Sequence, residues 1–158
     1  MKKSVLILLI PMLGLISCLK NDKIECVPVT VEVKAPASEI SALRGILSGS
    51  GITPLEDIRG FFYTITTVGT GTKPTTCSTV VIDYTAKLMD GTTVDANNNV
   101  SFQVGAFIAG WQEALPLLPA GGAMTLYLPP SLAYGSQTNG NIPGNSNLIF
   151  TINLKSVN

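Results

Sequence analysis

The segment Thr79-Val80-Val81-Ile82-Asp83-Tyr84-Thr85-Ala86-Lys87-Leu88-Met89-Asp90-Gly91-Thr92-Thr93-Val94-Asp95 has a period of two. Val80, Ile82, Tyr84, Ala86 and Leu88 alternate with Val81, Asp83, Thr85 and Lys87, so one face of a long strand is apolar and the other polar. Asp90-Gly91 is a turn dipeptide and predicts a hairpin into Thr92–Asp95. Asn97 to Asn99 read as a polar loop, after which Val100, Phe102 and Val104 restart the alternation.

The same reading extends in both directions. Phe61–Val68 is aromatic and β-branched, and Gly69–Pro74 is a turn-rich break. Gly110–Leu118 predicts a short helix that Pro116 ends or kinks. Ala123–Leu128 predicts a strand stopped by Pro129-Pro130. Ser136–Asn147 is a Gly- and Asn-rich loop, and Leu148, Phe150, Ile152 and Leu154 form a last alternating strand. Hairpins dominate and no βαβ unit repeats. The fold class is therefore α+β: a five- or six-stranded antiparallel sheet wrapped around one short helix. An extra N-terminal helix is predicted near residues 38–47, with Ile40, Leu43 and Leu47 on one face, Ile46 beside them and Ser38 as its N-cap.

Composition narrows the chemistry. The 158 residues hold no histidine, with ten Lys+Arg against ten Asp+Glu. No Ser-His or Cys-His catalytic pair and no histidine metal site exists, and no basic footprint marks a nucleic-acid partner. No soft-ligand cluster suggests a metal. Gly69-Thr70-Gly71-Thr72-Lys73 lacks the spacing of a phosphate-binding loop. Glu56 and Asp57 read as solvated loop acids. Asp95 stands apart, because it ends a strand beside apolar neighbours.

The chain begins with Lys2 and Lys3, then an apolar run from Val5 to Ile16, shorter than the roughly 20 residues a membrane helix needs. Charge, run and following small residues predict a secretory signal over residues 1–17. Leu15-Ile16-Ser17-Cys18 resembles a bacterial lipoprotein signal, which implies a lipid on Cys18. Residues 18–36 then form a tether with one short strand at Val29–Val33, residues 37–60 a helical extension and residues 61–158 the main domain. Cys26 and Cys77 remain. In an oxidising compartment they are read as a disulfide, worth on the order of 4 kcal/mol by loop closure, against the alternative of two separate buried thiols.

Several motifs, in order and with matching spacing, resemble the FKBP-type peptidyl-prolyl isomerases over residues 61–157. Tyr84-Thr85-Ala86-Lys87-Leu88-Met89-Asp90-Gly91-Thr92-Thr93-Val94-Asp95 is similar to Y-T-G-x-L-x-D-G-x-x-F-D. Phe102-Gln103-Val104-Gly105, Ile108 and Gly110-Trp111-Gln112-Glu113-Ala114-Leu115 are similar to F-x-L-G…I-x-G-W-x-E-A-L. Gly121-Gly122, Leu132-Ala133-Tyr134-Gly135 and Ile142-Pro143…Leu148-Ile149-Phe150 complete the set. The leader and the helix at residues 38–48 resemble lipoprotein forms of the family in Gram-negative bacteria, which implies a lipid anchor at the outer membrane, facing periplasm or cell surface. The sequence holds no heptads and no long unpaired apolar strand, so a monomer is expected.

The resemblance implies an apolar pocket for a proline ring in exported polypeptides, with no cofactor. Trp111 would be its floor, and Tyr84, Phe107 and Phe150 its walls. The Ile108 N–H and Tyr134 hydroxyl would hold substrate carbonyls, and Asp95 would set polar contacts at the rim. Val94, Val100 and Ile142 would also touch substrate. Val94 and Val100 stand where the family has aromatics, and Asn141 where it has an apolar residue. These departures predict a shallower pocket, and an alternative in which the groove binds Pro-containing segments with little turnover.

Overall fold

A computed structural model of the chain describes residues 25–158. The expected signal over residues 1–17 and Cys18 lie outside the described residues. The elements are α1 (Ala37–Gly49), β1 (Leu55–Glu56), β2 (Phe62–Thr67), β3 (Thr79–Leu88), β4 (Thr93–Gln103), α2 (Ala109–Ala114), β5 (Ala123–Leu128) and β6 (Leu148–Val157). The strands form one antiparallel sheet in the order β1-β2-β5-β6-β3-β4. This is the expected α+β architecture, with six strands around the short helix α2.

The predicted alternation builds the core. Val80, Ile82 and Ala86 of β3 are buried, as are Met124, Leu126 and Leu128 of β5 and Leu148, Phe150, Ile152 and Leu154 of β6. Trp111, Ala114 and Leu115 from α2 and its continuation join the same cluster. Each buried aliphatic side chain contributes roughly 1.5–3 kcal/mol by leaving water. Pro116 lies in the 3₁₀ turn Leu115–Leu117 that ends α2, as a residue without an N–H requires.

The β3–β4 hairpin closes at Asp90-Gly91. Gly91 takes a φ of 89°, and the Asp90 carboxylate accepts the Thr92 N–H at 2.8 Å. Beyond it the expected Asn97–Asn99 loop is instead continuous strand. The register against β3 shifts between Ile82 and Tyr84, a bulge in which Asn99 takes a φ of 54°. Asp83 accepts the Asn99 N–H at 2.8 Å and pairs with Lys155 at 2.8 Å, which also bonds the Asn99 side chain. Asparagine tolerates this backbone better than other non-glycine residues.

The N-terminal extension departs from expectation in four ways. Residues 25–36 contain no strand. The Thr76 hydroxyl bonds both the N–H and the C=O of Val29, and Glu113 accepts the Val33 N–H, so side chains replace a ladder. Helix α1 starts after Pro36 with no side-chain cap, so Ser38 does not cap it. Ile40, Leu43 and Leu47 are buried, whereas Ile46 is exposed. Glu56 and Asp57 are not simply solvated: Glu56 holds Arg44 through two bonds, and Asp57 holds Arg59 with a side chain only 14% exposed.

The structure joins Cys26 to Cys77, with Cα atoms 5.7 Å apart. The bond closes a 51-residue separation and fastens the extension beside the start of β3.

Candidate functional site

The short helix α2 points Trp111 into the concave side of the sheet. Gly110 makes this possible: a Cβ there would overlap the Leu128 side chain, so the helix N-terminus sits directly on β5. The glycine beside the tryptophan thus serves close packing. Trp111 is 3% exposed and packs edge-on against Tyr84 of β3 at 5.4 Å and Phe150 of β6 at 5.2 Å. Phe107 lies tilted on it at 4.7 Å. Such aromatic contacts add about 0.5–1.5 kcal/mol each beyond area burial.

Above this floor is a pocket of 210 Å³ lined by Tyr84, Asp95, Phe102, Ala106, Phe107, Ile108, Trp111, Tyr134 and Phe150. All six residues expected to be catalytic, together with Phe107, therefore meet at one cavity. Val94, Val100 and Ile142 are not in its lining. Val94 and Val100 are half-buried against the core. Ile142 is buried in the core and pairs with Asn139.

Phe102 is the wall residue that sequence reasoning missed. It read as core, yet it is 48% exposed and meets Phe107 edge-on at 5.5 Å. An aromatic near the C-terminal end of β4 thus lines the pocket. Its place in a strand that alternates toward an open edge was the available signal.

Polar groups gather at one rim. The Tyr84 hydroxyl donates to Asp95 at 2.5 Å, and the Asn97 amide donates to the Tyr84 oxygen at 3.2 Å and to Asp95 at 3.4 Å. Burial, helped by the bond to Asp95, pushes the Tyr84 phenol above its ordinary value. Burial and the nearby Asp95 charge do the same for Tyr134. Both phenols are neutral donors at physiological pH. Asn97 was read as loop; the bulge in β4 brings it to the rim.

Donors for a ligand are present. Among the described residues the Ile108 N–H and the Tyr134 hydroxyl have no hydrogen-bond partner. The buried Trp111 indole N–H is also unpartnered. The Gln112 amide donates to the Phe107 carbonyl at 2.6 Å, which fixes the loop presenting Ile108. Gly135, at a φ of 68°, supplies the left-handed turn that follows Tyr134.

An antiparallel sheet closing over a short helix, with an aromatic-floored pocket and few fixed donors, defines a scaffold that binds a small apolar ring and a flanking amide. The chain belongs to the FKBP-type peptidyl-prolyl cis-trans isomerase family, whose pattern matches residues 70–155. It is 45% identical over 103 residues to the outer membrane protein MIP of Legionella longbeachae, covering 62% of this chain and 44% of that protein. It is 36% identical over 102 residues to the isomerase FkpA of Aeromonas hydrophila, covering 62% and 38%. The match thus spans less than half the length of these curated relatives. Among solved structures, a peptidyl-prolyl cis-trans isomerase from Pseudomonas syringae superposes with a TM-score of 0.67 at 32% identity, covering 79% of this chain and 98% of that one. FkpA from Escherichia coli gives 0.67 at 32%, covering 77% and 58%.

Proposed function

We propose that this chain is a peptidyl-prolyl cis-trans isomerase that speeds folding of exported proteins, working as a monomer held at the bacterial outer membrane by a lipid on Cys18. The observation that carries the reading is the closed aromatic cluster: Tyr84, Phe107 and Phe150 packed around Trp111 under an open pocket.

The reaction breaks no bond. Rotation about X-Pro is opposed by amide resonance, a barrier of about 18–20 kcal/mol. The twisted state has lost that resonance and much of its charge separation, so an apolar pocket binds it better than the planar amide. In this reading the proline ring rests on Trp111 between Tyr84, Phe107 and Phe150. The Ile108 N–H and the Tyr134 hydroxyl hold the flanking carbonyls, and Asp95, fixed by Tyr84 and Asn97, orients the rim. Binding that is stronger in the twisted state than in the planar one lowers the barrier without acid, base or cofactor.

The test is isomerisation of X-Pro peptides by the purified protein, with metabolic labelling by a radioactive fatty acid in cells. Acceleration by the wild type and label lost in Cys18→Ala are expected. No acceleration by a folded protein would overturn the enzymatic reading, and no label the anchor.

A further inference from the structure

Helix α2 has two working faces. Trp111 faces the pocket. Glu113, two residues on and so on the opposite side, faces the segment 25–36, which lies outside the family match. Its carboxylate is buried with a side chain 0% exposed. One oxygen accepts the Val33 N–H at 2.8 Å, across a separation of 80 residues. The other has no hydrogen-bond partner in the structure and stands 3.9 Å from the Arg59 guanidinium, which is already engaged by Asp57. A buried carboxylate is costly unless it is paired and bonded. This one is tied to the extension rather than to the sheet.

The extension is fastened at three further points, one of them the Ala35 N–H donating to the Arg59 carbonyl at 2.9 Å. The Thr76 hydroxyl clasps both backbone groups of Val29, and Cys26 is bonded to Cys77. A cavity of 270 Å³ lies between this strap and α2, with Glu113 and Gln112 in its lining. Gln112 in turn holds the Phe107 carbonyl on the pocket side. The floor helix therefore stands beside a cavity walled by strap residues Pro28–Val31 together with Arg59 and Pro74–Thr76. Its position is set by the strap attachments on one face and by the aromatic packing on the other.

We infer that Glu113 is a positioning residue, which ties the strap to α2 and so sets the height of Trp111 and Phe107 in the pocket, with the Cys26–Cys77 disulfide as the covalent latch of the strap. This inference rests on the isomerase reading for its kinetic consequence but not for its structural one. Small displacements of a pocket floor act on a twisted, tightly held substrate more than on a loosely bound one. Loosening the strap should lower kcat and leave KM nearly unchanged.

The chain contains a single tryptophan, so its emission reports the floor directly. Val33→Pro removes the N–H that Glu113 accepts and also fixes the local φ at about −65°. Glu113→Ala removes the acceptor, and Glu113→Gln keeps one. Full-length protein carrying each change is compared with wild type by circular dichroism, Trp111 emission and kcat and KM on an X-Pro peptide. Expected are a red-shifted emission and a kcat lower by about fivefold in Val33→Pro and Glu113→Ala, with Glu113→Gln restored to within about twofold. Reduction of Cys26–Cys77 should shift the emission in the same direction. Unchanged emission and unchanged kcat in a folded Val33→Pro protein would overturn the inference, even if Glu113→Ala does not fold. An emission shift in a protein whose wild type has no turnover would uphold the strap coupling and sink the isomerase reading instead.

Discussion

The bond between Tyr84 and Asp95 allows a quantitative test of the pocket rim. Tyr84 donates to the Asp95 carboxylate at 2.5 Å, and Asn97 braces both groups. A hydrogen bond to a charged partner is worth about 1.5–3 kcal/mol when shielded. Asp95 is exposed, so solvent screening reduces this to about 1 kcal/mol. That energy corresponds to about a fivefold change in rate. Tyr84→Phe and Asp95→Asn should each lower kcat/KM by about fivefold. The double variant should also lose about fivefold rather than the product of the two, because one interaction is lost in all three proteins. Stopped-flow isomerisation of an X-Pro peptide measures each value, with circular dichroism to confirm the fold. Fully additive losses, or no loss in either single variant, would show that the rim pair does not act as a unit on the substrate.

Other expectations follow from the same geometry. Phe102→Ala removes the exposed wall, about 1.5 kcal/mol of apolar contact for a bound ring, and should cost about tenfold in kcat/KM with an unchanged fold; a twofold effect or less would remove Phe102 from the pocket. Gly110→Ala pushes a methyl group into Leu128 and should destabilise the protein by about 1–3 kcal/mol, read from urea midpoints. An unaltered midpoint would mean that α2 does not pack so closely on β5. Burial raises the Glu113 carboxyl above the ordinary 4.5, only partly offset by Arg59. Its folded form prefers the proton, so its contribution is fullest below the unfolded value and is lost as pH rises through the raised one. Wild type should therefore lose stability relative to Glu113→Gln as pH rises above the ordinary carboxyl range. The Arg59 guanidinium bonded to Asp57 holds that carboxyl below its ordinary value, so Asp57→Asn should show the opposite trend, with wild type losing its advantage as pH falls. Parallel pH curves for wild type and both variants would contradict these assignments.

Much of the body was legible because its strands are half-buried. The alternation from Val80 to Leu88 and from Leu148 to Leu154 states a face directly, and Asp90-Gly91 states a hairpin. Trp111, Tyr84, Phe107, Tyr134 and Phe150 were legible as a site through linked motifs, and they converge on one cavity. Three features were hidden for physical reasons. Val29–Val33 alternates like a strand, yet its backbone is met by the Thr76 hydroxyl and the Glu113 carboxylate, partners no local pattern reveals. Asn97–Asn99 has loop composition, but Asp83 and Lys155 hold Asn99 in a bulge and keep β4 continuous. Phe102 has the alternation of a core residue, and only the open edge of β4 turns it to the pocket. In each case the deciding partner is distant in sequence.

The most direct measurement is the rate of cis-to-trans conversion in a set of X-Pro peptides with purified protein, beside a folded Trp111→Ala variant. The uncatalysed process takes tens to hundreds of seconds, so acceleration is easily seen. The account predicts that wild type shortens this time in proportion to its concentration, with a preference set by the residue before proline, and that Trp111→Ala abolishes the effect. A folded wild type that leaves every peptide at its uncatalysed rate, or a Trp111→Ala variant as active as wild type, would contradict the claim that this aromatic floor catalyses prolyl rotation.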